Sequence, residues 1–149
     1  MRVVARFRAV PLLLALGFGS VSCGTATATP GILVEGAWAR PAAEIGGTTA
    51  VYLRLTNTGE QPDRLVRGET TAADAVEFHH TSMEGDVVHM MPVSGIDLLP
   101  GETIVFEPGG LHMMLAGLAS PLPPGDRVLL TLTFEQAGDV QVEVGVGEP

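Results

Sequence analysis

The sequence contains no lysine, a single cysteine and few aromatic residues: one Trp, one Tyr and five Phe among 149 residues. A lone cysteine excludes a disulfide framework and a zinc site built from thiolates. The eight basic residues are all arginines, and Arg2, Arg6 and Arg8 stand at the extreme N-terminus. All seventeen acids follow Cys23, so beyond that residue five arginines face seventeen acids, a net charge of −12. Phosphate backbones and anionic lipid headgroups repel such a surface, which argues against nucleic acid as a partner and against a basic membrane-surface patch. No activated nucleophile, glycine-rich phosphate loop or carboxylate pair stands at a convincing spacing, so the chain is not expected to be an enzyme.

The first 23 residues read as three arginines, an apolar run from Ala9 to about Phe18, and small residues ending at Cys23, the layout of a bacterial export signal. The run is too short to span a bilayer. Ser20-Val21-Ser22-Cys23 resembles a lipoprotein cleavage box, with Cys23 as the lipid-bearing residue; the alternative is cleavage after Ala28 in Ala26-Thr27-Ala28. Both place the protein outside the cytoplasm, in the periplasm or on the outer face of the membrane. Residues 24–31 read as a flexible tether and 32–149 as one domain.

From Ile32 onward apolar residues recur with period two in short stretches separated by Gly, Pro, Asn or Asp, an all-β pattern. Nine strands are predicted: Ile32–Arg40, Thr49–Asn57, Arg64–Glu69, Ala75–Thr81, Val87–Val93, Thr103–Glu107, Leu111–Leu115, Arg127–Glu135 and Val140–Val144. That number in one small domain suggests a two-sheet Greek-key sandwich or barrel. Trp38, Tyr52 and Phe134 read as core aromatics.

All four histidines (His79, His80, His89, His112) and the five methionines after the initiator (Met83, Met90, Met91, Met113, Met114) fall between residues 79 and 114. An even scatter would place roughly a quarter of them there, and His-rich tracts commonly bind metal. The plainer alternative is that methionine fills core gaps and histidine decorates strand ends. Pairing AVEFHHTSM with DVVHMMPV around Glu84-Gly85 sets Val76 against Val93, Phe78 against Met91, His79 against Met90 and His80 against His89. Met91 is then expected in the core, while His79 and Met90 are direct neighbours on a face the core does not need. In LHMML, residues 111–115, His112 and Met114 share one face and Met113 the other, where it is expected to be core. His79, Met90, His112 and Met114 make a four-ligand site if the two segments meet.

Neutral, soft thioethers are poor ligands for Ca, Mg or Mn, and zinc would recruit Cys or carboxylate. Two imidazoles and two thioethers select copper, especially Cu(I). A blue-copper centre would need a thiolate, which the folded part lacks.

The spacing His79, ten residues, Met90, twenty-one residues, His112, one residue, Met114 resembles the signature of the PCu(A)C family of extracytoplasmic copper chaperones. Further resemblance lies in GAWARP at 36–41, AVYLRLTN at 50–57, DRL at 63–65, VEFH at 76–79, PGG at 108–110 and LTLTFE at 130–135. The resemblance implies a cupredoxin-like Greek-key β-sandwich or barrel, with His79, Met90, His112 and Met114 as Cu(I) ligands. It also implies delivery of copper to the CuA centre of cytochrome c oxidase subunit II, directly or with Sco-type proteins; the domain is expected to be a monomer. His80 stands where the family commonly has Glu, and Val88, His89 and Met91 replace its usual residues around Met90. The His80–His89 pair reads first as solvated surface, with an auxiliary Cu(II) site as the alternative. The chain stops at Pro149 with no His/Met-rich tail, so no second copper site is expected there. Rival readings are a copper storage or resistance protein and a metal-free structural β-sandwich.

Overall fold

A computed structural model describes residues 27–29 and 31–148. The predicted export signal, Cys23 and part of the predicted tether lie outside the described residues. Within them the chain has no helix and is 66% strand. In chain order the strands are β1 (Thr27–Thr29), β2 (Ile32–Ala39), β3 (Thr48–Asn57), β4 (Asp63–Thr70), β5 (Ala73–Glu84) and β6 (Val87–Pro92). They continue with β7 (Ile96–Leu98), β8 (Thr103–Phe106), β9 (Leu111–Leu118), β10 (Arg127–Phe134) and β11 (Gly138–Val146). All nine predicted strands are present. The two that were not predicted, β1 and β7, are three residues each, too short to show alternation. β1 falls inside the stretch read as tether, where Thr27–Thr29 pair with Ile32–Val34.

Seven strands close into a barrel in the order β2, β11, β10, β4, β5, β9, β3, with β3 returning to β2. The predicted all-β, single-domain barrel class therefore holds. All pairings in the ring are antiparallel except β11 with β2. The interior is filled by alternating residues, among them Val51, Leu53 and Leu55 from β3, Met113 and Leu115 from β9, Leu130, Leu132 and Phe134 from β10, and Val140, Val142 and Val144 from β11. Met113 and Phe134 are core as predicted. Full burial of each such side chain contributes about 1.5–3 kcal/mol.

Alternation breaks once in β2. Gly36, at φ 60°, lies in an irregularity between Glu35 and Trp38 that re-sets the register with β3. Ala37 and Ala39 then pack inward, while Trp38 is only half-buried and meets Tyr52 at 4.6 Å between ring centroids. Tyr52 alternates with Val51 and Leu53, so it is buried on the outside of the barrel wall and is not part of the interior cluster. Tyr52 is buried as expected, though from the outer side of the wall, and only for Trp38 is the expectation of a core aromatic corrected.

The β5–β6 hairpin also differs from expectation. Its closing pair is Glu84 with Val87, so the loop is Gly85-Asp86 and not Glu84-Gly85. Gly85 has φ 64°, and a two-residue loop with positive φ at its first position wants glycine there. The pairing consequently slides by two residues: His79 faces Pro92, His80 faces Met91, Thr81 faces Met90 and Ser82 faces His89. β9 pairs with β5 only as far as His80, so the rest of the hairpin projects past the barrel wall. Met91, expected in the core, is 53% exposed there.

Candidate metal centre

The outer face of four adjacent strands brings the imidazoles and thioethers together. β9 lies between β3 and β5 in the wall, and β6 extends the far side of β5. On β9, Met113 and Leu115 alternate inward, which turns His112 and Met114 outward. His79 stands opposite His112, and Glu77 opposite Met114, with the two imidazole centroids 5.8 Å apart and tilted by 53°. Across the hairpin, Met90 faces Thr81, one pleat from His79 on the same side of the sheet. The expected direct His79–Met90 pair is thus a diagonal one, because a slide of two residues keeps every side chain on its face.

A concavity of about 240 Å³ opens at this place, lined by Met90, His112 and Met114 together with Arg40, Ala50, Tyr52, Thr81, Pro108 and Gly109. His112 is buried, at 5% exposure, while Met90 is 50% exposed, so the lining runs from the wall to solvent; His79 is not part of that lining and stands beside it, opposite His112. A larger groove of about 660 Å³ along β4 and β10 holds no imidazole or thioether.

Hydrogen bonds fix which nitrogen each ring can offer. His112 Nδ1 lies 3.1 Å from the Gly110 carbonyl oxygen, which can only accept, so Nδ1 carries the proton and the lone pair is on Nε2. His79 Nε2 donates to Glu77 Oε2 at 2.9 Å, which leaves the lone pair on Nδ1. That Nδ1 is buried and has no hydrogen-bond partner among the described residues. A buried acceptor without a partner costs free energy that a bound cation would relieve. Each imidazole therefore shows the arrangement of a metal-ligating histidine, one nitrogen held by a carbonyl or carboxylate and the other with its lone pair free. Among the described residues no three His, Cys, Asp or Glu side chains could jointly hold a metal. A cation here would depend on the thioethers to complete its coordination, a donor set that suits a soft ion.

Arg40 reaches across the Tyr52 ring, 5.8 Å from its centroid, at the border of the concavity. The alternation of Val51, Leu53 and Leu55 would have placed Tyr52 on this face from sequence alone. Thr81 had no such signal, since its place opposite Met90 depends on the hairpin register.

Comparison with known proteins agrees with the geometry. Residues 32–146 match the LpqE-like family of candidate lipoproteins. Lxx21020 of Leifsonia xyli subsp. xyli, also named as a candidate lipoprotein, is 31% identical over 141 residues, covering 91% of this chain and 84% of that protein. The copper-bound PCuAC domain from PmoF2 superposes with a TM-score of 0.71 at 27% identity, covering 84% of this chain and 99% of that one. Cu(I)-bound DR1885 from Deinococcus radiodurans gives 0.54 at 31% identity, over 77% and 78% of the two chains.

Proposed function

This chain belongs to the LpqE-like family and has the fold of PCuAC domains, and from that premise we propose that it is an extracytoplasmic Cu(I) chaperone whose ligands are His79, Met90, His112 and Met114. Copper is its cargo. The observation that carries the reading is the pair of facing imidazoles, 5.8 Å apart, with the lone pair of one on a buried nitrogen that has no partner among the described residues. The wall fixes His112 and Met114, whereas Met90 sits on the exposed hairpin, where an acceptor can replace it. Delivery to the CuA centre of cytochrome c oxidase, directly or through a Sco-type protein, and tethering through Cys23 complete the proposal. The lipoprotein names among the relatives support the tether.

The test is an anaerobic Cu(I) titration against a competing chelator, on the domain from Gly24 onward and on its Met90→Leu, Met114→Leu double variant. One tightly bound Cu(I), strongly weakened in the variant, is expected. Binding indifferent to both methionines overturns the ligand set. A deletion strain that loses oxidase activity under copper limitation supports delivery, while one that loses only copper tolerance favours storage or resistance.

A further inference from the structure

We propose a second copper site on the reverse face of the β5–β6 hairpin, formed by the imidazoles of His80 and His89 and the thioether of Met91. Neighbouring residues of a strand point to opposite faces. The doublets His79-His80 and Met90-Met91 therefore each send one donor to the centre described above and the other to the reverse side. There His80 stands directly opposite Met91, and His89, opposite Ser82, lies two residues along the strand from Met91 and diagonal to His80. Opposed side chains start about 5 Å apart at Cβ and diagonal ones about 7–8 Å, within reach of these long side chains. In the third doublet, Met113-Met114, the inward residue is consumed by the barrel core. The hairpin projects past the wall, so its inward-parity residues stay exposed: Met91 is 53% exposed, and His80 and His89 are exposed as well.

Two nitrogen donors, one thioether and free access for water suit Cu(II), whereas two thioethers in the first centre favour Cu(I). The site goes beyond the function proposed above and uses none of its ligands.

The experiment loads the purified protein anaerobically with one equivalent of Cu(I), then adds Cu(II) and follows it by electron paramagnetic resonance. The wild type is expected to take a further equivalent, with hyperfine splitting from two nitrogens. His80→Ala with His89→Ala loses that equivalent and keeps Cu(I), Met91→Leu weakens it, and Met90→Leu with Met114→Leu loses Cu(I) but keeps Cu(II). No further equivalent, or one indifferent to the His80 and His89 substitutions, overturns the proposal. Indifference to Met91→Leu removes the thioether from the site.

Discussion

Replacing Glu77 tests whether the centre depends on a fixed imidazole tautomer. The Glu77 carboxylate lies 2.9 Å from His79 Nε2 and has no proton to give, so it holds the imidazole hydrogen on Nε2 and the lone pair on Nδ1. Without that acceptor the ring exchanges between tautomers, and its χ2 torsion is no longer held. A hydrogen bond to an ionised group contributes about 1.5–3 kcal/mol. The Glu77 side chain is 54% exposed, so water takes over part of its role when it is removed. About 1 kcal/mol is then the share lost, which for Glu77→Ala is roughly a fivefold fall in Cu(I) affinity. Glu77→Gln keeps an oxygen acceptor without the charge and is expected to lose about half as much in free energy. Competition titration with a Cu(I) chelator reads the affinity, and long-range 1H–15N correlation on the metal-free protein reads the tautomer. Equal affinity in wild type and Glu77→Ala, or a wild-type His79 with its proton on Nδ1, refutes the reasoning.

Other substitutions separate the site from its support. Met113 is fully buried in the barrel, so Met113→Ala should cost about 2–5 kcal/mol in denaturant unfolding; its Cu(I) stoichiometry should stay at one, because the outward neighbour Met114 is untouched. Asp63 accepts from the backbone N–H groups of Arg64, Gln136 and Ala137 at 2.7, 2.9 and 2.9 Å and is itself buried. Asp63→Ala leaves three donors short of a partner and should destabilise by about 2 kcal/mol, with Asp63→Asn milder. Met90 is the most exposed of the four proposed ligands, at 50%, and should be the first that an acceptor displaces. Met90→Leu should therefore speed transfer to a thiol-bearing acceptor in stopped flow more than Met114→Leu does, and equal effects would sink that order.

Much of this structure was legible in the chain because alternation is a strong signal wherever one face is buried. Val51, Leu53 and Leu55, or Leu111, Met113 and Leu115, assign their strands and by default their outward neighbours. The same logic places His112 and Met114 on one face without knowing what lies beside them. What alternation cannot give is the partner of each strand. That β9 inserts between β3 and β5, and so sets His79 against His112, follows from barrel closure and from no local pattern. Nor does it give the level at which a hairpin leaves the wall, which is why Met91 read as core and is exposed. The Gly110 carbonyl that orients His112 was beyond reach of the sequence for a related reason, since that hydrogen bond is set by how the turn before β9 closes.

The two-residue difference in hairpin register leaves the proposed ligands on one face, and the reason is parity. A slide of two residues exchanges partners along the strand but leaves Met90 on the face of His79. A slide of one would have turned Met90 to the reverse side. Even then the doublet would have put Met91 in its place on the front. An equivalent slip in β5 would exchange His79 for His80. Paired donors at both positions thus make the hairpin tolerant of register in a way that single residues are not, and the cost is that in any register one imidazole and one thioether point to the side the proposed centre does not use. On a projecting ribbon no core absorbs them, as it absorbs Met113 in the wall. The second set of donors is therefore a direct consequence of how the first is encoded.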